Sequence, residues 1–200
     1  LFVSGGAALE PEVARFWQAL GYTVLEGYGL TECSPVLAAN TLQKQIIGSV
    51  GKALSDVELR FEKNEIQARG PNVFTGYYRD EQATREAFAE NGWFKTGDLG
   101  RMDDDGFVYI NGRKKEMIVT GGGVKVFPDD IEPVLNKIPG VKESCIVGID
   151  HGSGEEVHAV FVLDGSREPN AIIQKANRAL DPQQQITGFS LWPDAEFPKT

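Results

Sequence analysis

The sequence is poor in residues that bind metals or form disulfides. It holds 2 cysteines and 2 histidines among 200 residues. Cys33 and Cys145 make no recognisable disulfide framework, and two histidines are too few for a zinc cluster of the usual spacing. No apolar run approaches the roughly 20 residues of a membrane-spanning helix, so we expect no transmembrane segment. These absences favour a reduced, cytoplasmic protein.

Basic side chains are also scarce relative to acidic ones. The 20 Lys and Arg residues face 29 Asp and Glu residues, which gives a formal net charge of −9 at pH 7. A general nucleic-acid binder needs an excess of cations to displace counterions, so nucleic acid is not an expected partner. A local basic patch can coexist with a negative total, so an anionic small-molecule ligand remains open.

The hydrophobic pattern changes twice along the chain. Residues 1–45 have the strand–loop–helix–strand pattern of an α/β fold, and residues 46–114 read as short strands with one helix in a small β-barrel-like subdomain. Residues 115–200 have an α+β pattern of domain size. We therefore predict a mixed α/β and α+β fold with a domain boundary near Lys114 and Lys115.

Two local patterns in the middle segment are specific. Alternating apolar residues on both sides of a Glu62-Lys63-Asn64 turn predict a β-hairpin. Asp80 is a good N-cap for a helix running to Glu90. The chain opens on Leu1-Phe2-Val3 without an initiator methionine, so we expect a fragment of a longer protein.

A glycine-rich segment after the second predicted strand carries groups suited to a nucleotide. Gly27 and Gly29 let the backbone approach a ligand closely, and Tyr28 can stack on a flat ring. Thr31 offers a hydroxyl to an oxyanion, and Glu32 offers the hard oxygen that Mg²⁺ accepts beside a phosphate. A Gly-Tyr-Gly turn is about as often purely structural, so this segment alone leaves both interpretations open.

Three further segments carry weaker signals. A loop of Ser4-Gly5-Gly6-Ala7 follows the first strand. Asp98 follows a glycine, where a carboxylate can accept both hydroxyls of a ribose or simply face solvent. Arg113, Lys114 and Lys115 precede Gly121-Gly122-Gly123, and such a cation run is usually a solvated face.

Together, the order of these motifs resembles the adenylate-forming (AMP-binding) superfamily of acyl-CoA synthetases, luciferases and peptide-synthetase adenylation domains. The motifs are Ser4-Gly5-Gly6-Ala7, Tyr28-Gly29-Leu30-Thr31-Glu32, Gly76-Tyr77-Tyr78, Thr96-Gly97-Asp98-Leu99, Gly112-Arg113-Lys114-Lys115-Glu116 and Phe197-Pro198-Lys199-Thr200. The resemblance covers essentially the whole chain. Residues 112–123 look most like the long-chain fatty acyl-CoA synthetase branch.

The resemblance implies an ATP-dependent acid–thiol ligase. In that family a carboxylic acid attacks the α-phosphate of ATP to give an acyl-AMP, with Mg²⁺ as the metal. The small C-terminal domain then rotates, and the thiol of CoA takes the acyl group. The implied partners are therefore a fatty acid, ATP and CoA. A long-chain substrate is compatible with peripheral contact at the inner membrane face, although no basic amphipathic helix supports it.

The resemblance also implies residue roles in the large domain, residues 1–114. Adenine would stack on Tyr28, with Glu26, Gly27 and Gly29 beside the base. The wall between the nucleotide and acyl pockets would be formed by Gly5, Gly6 and Ala7. Thr31 would contact the α-phosphate and Glu32 would hold Mg²⁺. Asp98 and Arg113 would bind the ribose.

Other implied roles fall in the small mobile domain, residues 115–200. Lys115 would be the hinge residue, and Lys125 would contact CoA phosphates. The pantetheine tunnel would be lined by Gly121, Gly122 and Gly123. The family's phosphate loop lies upstream of Leu1 and its catalytic lysine beyond Thr200, so we expect the isolated fragment to be inactive.

Two alternatives compete with the CoA ligase. A related adenylating enzyme would transfer the acyl group to an acyl carrier protein or use oxygen as acceptor. A stand-alone nucleotide-binding or partner-binding module would do no chemistry. The sequence does not specify the acyl chain length or the oligomeric state. Cys33 is interpreted as a small packing residue and not as a nucleophile, because no histidine lies near it in sequence.

Overall fold

A computed structural model describes residues 1–150, 152 and 154–198. The chain divides into two compact units, Leu1–Asn111 and Gly112–Thr200, called here the N-terminal and C-terminal units. The predicted boundary near Lys114 and Lys115 falls a few residues after this division, and the assignment of enzyme domains to it stays a prediction. Of the last sequence motif, Lys199 and Thr200 lie outside the described residues.

The N-terminal unit begins with a small mixed sheet in the strand order β1-β2-β3-β4. Its elements are β1 (Phe2–Ser4), α1 (Pro11–Ala19), β2 (Val24–Tyr28), β3 (Ala38–Ala39) and β4 (Lys52–Ala53). Strands β1 and β2 are parallel, with Ser4 opposite Glu26. Helix α1 has Pro11 in its first turn, where a missing N–H is tolerated. The predicted strand–loop–helix–strand order is confirmed.

A second sheet of the N-terminal unit has the order β5-β6-β7-β8. Its strands are β5 (Glu58–Glu62), β6 (Glu65–Arg69), β7 (Phe94–Met102) and β8 (Val108–Arg113), and the last two residues of β8 are counted in the C-terminal unit. Helix α2 (Glu81–Ala87) and short 3-10 helices at Thr31–Cys33 and Glu90–Gly92 accompany the sheet. Strands β5 and β6 form the predicted hairpin. Helix α2 ends earlier than predicted because Phe88 is extended and bridges Phe94.

The expectation of a β-barrel-like subdomain over residues 46–114 needs correction, although the mixed fold class is confirmed. The β5–β8 sheet is open, and none of the sheets in the described part of the chain closes into a barrel. Closure would require β8 to pair with β5. Instead, the backbone N–H and C=O of Val108 bond to Gly51 O and Val50 N, at 2.8 and 2.9 Å. The start of β8 is therefore bonded to the segment before β4.

The C-terminal unit is an α+β unit, as predicted. Its elements are β9 (Ile118–Val119), β10 (Lys125–Val126), α3 (Pro128–Asn136), β11 (Val141–Asp150), β12 (Glu155–Leu163), α4 (Pro169–Asn177) and β13 (Gly188–Leu191). Strands β11 and β12 are antiparallel, and β13 lies parallel to β12. Helices α3 and α4 contribute the fully buried residues Ile131, Leu135 and Ile172 to its core. Among the described residues, no helix combines the length and apolar character needed to cross a membrane.

Candidate functional site

Two of the predicted nucleotide-binding segments meet at one edge of the first sheet. Because β1 and β2 are parallel, their carboxyl ends lie together, which puts the loop of Gly5, Gly6 and Ala7 beside the end of β2. A Cβ built on Gly5 would lie 3.5 Å from the Gly27 carbonyl oxygen. Gly6 has φ +85°, a left-handed conformation that favours glycine. The loop is exposed and open to a ligand.

Gly29 has a packing role that is independent of any ligand. A Cβ at this position would lie 1.9 Å from the carbonyl oxygen of Pro35 and 2.7 Å from Val36 Cα. No side chain fits there, because both neighbours are backbone. At Gly27, by contrast, the nearest atom to an added Cβ is Ala38 O at 3.4 Å, an ordinary contact. The two glycines of this segment are thus required to different degrees.

Glu26 points into the protein and is buried. Burial raises the pKa of its carboxyl group, and a backbone hydrogen bond with Gly48 partly opposes that shift. Its predicted place beside the adenine base remains a prediction.

Tyr28 and Asp98 are joined directly. The Tyr28 hydroxyl donates a hydrogen bond of 2.6 Å to Asp98 Oδ2. Burial raises the pKa of Tyr28 far above its usual range, and the nearby Asp98 charge adds to this. The tyrosine is therefore a protonated donor at all ordinary pH values. The structure thus brings together Tyr28, predicted to stack on the base, and Asp98, predicted to bind the ribose.

A bulge in β7 gives Asp98 its position. The pairing between β6 and β7 shifts register between Glu65 and Gln67, and Gly97 adopts φ +75° opposite this irregularity. A bulge with a left-handed glycine re-aims the side chain that follows it. Asp98 is that residue, and only 5% of its surface is exposed.

Thr96 holds the bulge together and was not recognised as a site residue from sequence. Its buried hydroxyl donates to Ile66 O at 2.8 Å and accepts from the Asp98 N–H at 3.1 Å. The hydroxyl therefore fixes the backbone of Asp98 to the neighbouring strand. The one sequence signal for this role is its place two residues before the acid in Thr96-Gly97-Asp98.

Thr31 and Glu32 lie on the short 3-10 helix that follows β2. Thr31 is exposed and Glu32 half-buried, so both can meet a ligand. The Tyr77 hydroxyl donates to Glu32 Oε1 at 2.9 Å. Cys33, the next residue, is fully buried, and burial raises the pKa of its thiol to about 12. This agrees with its interpretation as a packing residue, because a protonated buried thiol is a poor nucleophile.

Asn72 supports the loop after this 3-10 helix, a role that no sequence pattern indicates. Its Nδ2 donates to the carbonyl oxygens of Cys33 and Val36, at 2.9 and 2.8 Å. The chain that follows Glu32 is thereby tied to the segment after β6.

The acidic groups fit a magnesium–nucleotide complex better than a free metal ion. The described residues contain no cluster of three or more His, Cys, Asp or Glu side chains that could hold a metal. Mg²⁺ beside phosphates needs only one or two carboxylates, the remaining ligands being phosphate oxygens and water. Glu32 meets this requirement, since the Tyr77 bond uses only one of its two oxygens.

The cations nominated from sequence belong to the C-terminal unit. Arg113 and Lys115 are exposed, and Lys115 lies in a tight turn after β8. The N–H groups of Glu116 and Met117 both donate to the Arg113 carbonyl oxygen at 3.1 Å, which closes this turn. The ribose contact of Arg113 and the hinge role of Lys115 stay predictions.

The glycine run forms the exposed turn of the β9–β10 hairpin. The Gly123 N–H donates to Thr120 O at 2.7 Å. Within the described chain, no heavy atom beyond the adjacent residues lies within 4 Å of a Cβ built on Gly122 or Gly123, whereas Gly121 packs against Gly154. Lys125, on β10, is exposed. The predicted contacts of these residues with CoA remain untested by the geometry.

Comparison with known proteins agrees with the family resemblance and with the fold. The family described as AMP-binding enzyme matches residues 1–78. The long-chain-fatty-acid–CoA ligase FadD15 of Mycobacterium bovis is 48% identical over 147 residues, which cover 73% of this chain and 24% of that protein. The long-chain-fatty-acid–CoA ligase of Escherichia coli O157:H7 is 35% identical over 98% of this chain and 36% of its own length.

A solved structure extends the likeness to three dimensions. The o-succinylbenzoate coenzyme A synthetase MenE from Bacillus subtilis, in complex with ATP and magnesium ion, superposes with a TM-score of 0.86 at 28% identity. The superposition covers 98% of this chain and 43% of the MenE chain. This chain belongs to the adenylate-forming, AMP-binding enzyme family. It spans 24% and 36% of the length of the two curated relatives.

Proposed function

We propose that the full-length protein is an acid–thiol ligase that forms AMP. In the first step a substrate carboxylate oxygen attacks the α-phosphorus of ATP, the bond to the β-phosphate oxygen breaks, and pyrophosphate leaves. In the second step the CoA thiolate attacks the acyl carbon of the acyl-AMP. A thioester forms and AMP departs with the bonding electrons. The thiol proton passes to solvent.

The N-terminal unit supplies the adenosine contacts in this proposal. Adenine stacks on Tyr28, whose hydroxyl is already engaged by Asp98, so the ring has a fixed orientation. The Asp98 carboxylate accepts hydrogen bonds from the ribose hydroxyls. A planar base on an aromatic face and a diol on a carboxylate are complementary pairs.

The 3-10 helix after β2 supplies the contacts to the phosphates in this proposal. The Thr31 hydroxyl is exposed and donates to an α-phosphate oxygen. Glu32 would hold Mg²⁺, and the ion would supply charge neutralisation for the phosphates. The loop of Gly5, Gly6 and Ala7, at the same edge of the sheet, leaves room for the acyl group to approach.

The C-terminal unit supplies the second step. Lys115, in its tight turn, is the proposed hinge about which the small domain rotates, since a few residues at element ends can absorb such a backbone change. The open turn at Gly122 and Gly123 admits the narrow pantetheine arm of CoA, and Lys125 meets its phosphates. Arg113 contacts the ribose.

The single observation that carries this proposal is the Tyr28–Asp98 hydrogen bond in a chain of the AMP-binding family. It joins a ring suited to a base and a carboxylate suited to a ribose. The proposed substrate class is a long-chain fatty acid. Both curated relatives are long-chain-fatty-acid–CoA ligases, whereas MenE is named for o-succinylbenzoate, an aromatic acid.

Pyrophosphate release by the full-length protein tests the proposal. The assay uses ATP, Mg²⁺ and unbranched acids of increasing chain length, each with and without CoA. We expect release that increases with chain length and acyl-CoA formed in equal amount. Release without transfer to CoA would redirect the second step to an acyl carrier protein. No pyrophosphate release with any acid would contradict ligase activity and would favour the alternative of a nucleotide-binding module.

A further inference from the structure

The motif Gly76-Tyr77-Tyr78 has no role in the proposed function. Its first tyrosine reaches the phosphate side of the candidate site. The Tyr77 hydroxyl donates to Glu32 Oε1 at 2.9 Å, across 45 positions of sequence. The second tyrosine, Tyr78, is 85% exposed, and the Arg79 guanidinium lies 5.0 Å from its ring centre. The two adjacent tyrosines therefore have different surroundings.

The backbone around Tyr77 is pinned to the start of helix α2. The Tyr77 N–H donates to Thr84 Oγ1 at 2.9 Å, and that hydroxyl donates to Asp80 O at 2.7 Å. Gly76 has φ +151°, and a Cβ there would lie 2.6 Å from Thr84 Cγ2. The glycine lets the chain pass close to the helix, which fixes the direction in which Tyr77 leaves the backbone.

The same loop also holds the main chain of Glu32. The Phe74 N–H donates to Glu32 O at 2.7 Å. The Phe74 ring packs edge-on against Tyr77 with 4.9 Å between ring centres. Glu32 is thus held at its carbonyl and at its carboxylate by two residues that contact each other.

The chemistry of the two groups sets the direction of this hydrogen bond. The Tyr77 phenol O–H is the donor, and a Glu32 carboxylate oxygen is the acceptor. A carboxylate held in one rotamer loses less conformational freedom when it binds a cation than a mobile one does. Its second oxygen, Oε2, has no hydrogen-bond partner among the described residues.

We propose that Tyr77 is a positioning residue that orients the Glu32 carboxylate toward the magnesium ion of the ATP complex. This inference rests on the proposed function, in which Glu32 is the metal ligand. Tyr77 acts only through Glu32 and does not touch the reacting atoms.

The test measures the ATP affinity of the full-length protein by calorimetry, with Mg²⁺ and with EDTA. In Tyr77→Phe we expect the gain in affinity that Mg²⁺ confers to fall by about three- to tenfold, as expected for one lost hydrogen bond. Affinity in EDTA should not change. Tyr78→Phe is the matched control and should behave as the unchanged protein.

A double variant separates positioning from a general loss of structure. Glu32→Gln should remove the magnesium effect, and adding Tyr77→Phe to it should change nothing further, because coupled residues are not additive. An unchanged magnesium effect in Tyr77→Phe, or additive losses in the double variant, would overturn this inference alone. Absence of any magnesium effect in the unchanged protein would overturn both this inference and the proposed role of Glu32.

Discussion

The Tyr28 hydroxyl and the Asp98 carboxylate are 2.6 Å apart, although 70 positions separate the two residues in the chain. Tyr28 ends β2 of the first sheet, and Asp98 follows the bulge of β7 in the second sheet. The bond therefore couples the two sheets of the N-terminal unit at the candidate site. The ring proposed to stack on the base and the carboxylate proposed to bind the ribose are thus held at a fixed separation.

Removing the Tyr28 hydroxyl should weaken nucleotide binding while keeping the aromatic ring. In Tyr28→Phe the buried Asp98 carboxylate loses a donor, so we expect AMP affinity to fall by about three- to tenfold. Calorimetric titration of the full-length protein with AMP measures this. Tyr22→Phe is the control, because Tyr22 is exposed and contributes ring contacts to Phe2 and Trp17. Equal affinity in both variants would contradict the coupling.

Thr96→Val should destabilise the N-terminal unit. The substitution keeps the shape of the side chain but leaves Ile66 O and the Asp98 N–H without their buried partner. We expect a loss of about 1–3 kcal/mol in the free energy of unfolding, measured by urea denaturation. The exposed Thr75→Val should change it by less than about 0.5 kcal/mol. A Thr96→Val protein as stable as Thr75→Val would show that the hydroxyl does not hold the bulge.

Alanine should be far less tolerated at Gly29 than at Gly27. A Cβ at Gly29 would overlap the backbone of Pro35, whereas at Gly27 it would make an ordinary contact with Ala38 O. We expect Gly29→Ala to lower the free energy of unfolding by more than about 3 kcal/mol or to prevent folding, and Gly27→Ala to cost about 1 kcal/mol. Thermal unfolding of the two variants compares them directly. Similar unfolding midpoints would show that the backbone at residues 35–36 moves aside for the added Cβ at little cost in stability.

The Cys33 thiol should make folding stability depend on alkaline pH. Its pKa is raised from 9.0 to about 12 in the folded protein. Above pH 9 the unfolded chain loses this proton while the folded protein keeps it, so stability falls as pH rises toward 12. The slope approaches about 1.4 kcal/mol per pH unit.

Urea unfolding between pH 8 and 10 measures this slope in the unchanged protein and in Cys33→Ala. Contributions from other groups, including Tyr28, are common to both proteins. We expect Cys33→Ala to lose less stability over this range. Identical slopes would show that the thiol ionises normally in the folded protein.

Local patterns in the sequence predicted most of the elements and fewer of their relationships. The β5–β6 hairpin follows from alternation around Lys63 and Asn64, both of which adopt positive φ. In the structure the polar residues Glu65 and Gln67 of β6 are buried together with the apolar residues Ile66 and Ala68. Neighbours from distant parts of the chain decide such burial, and no local pattern encodes them.

The candidate site shows the same contrast between residues that local motifs identify and contacts that they do not. Tyr28, Glu32 and Asp98 were nominated by their motifs, and the resemblance supplied their roles. The supporting residues Thr96 and Tyr77 were not given roles, because their contacts depend on a bulge and on a loop pinned to α2. A hydrogen bond across 45 or 70 positions leaves no trace in local spacing.

The most direct test of the site compares AMP with 2′,3′-dideoxy-AMP. If the Asp98 carboxylate accepts the ribose hydroxyls, the full-length protein should bind AMP at least about tenfold more tightly than the dideoxy analogue. That preference should nearly vanish in Asp98→Asn and persist in Asp104→Asn, an exposed acid on the turn after β7. Equal preference in the unchanged protein and in Asp98→Asn would contradict the assignment of this edge as the adenosine site.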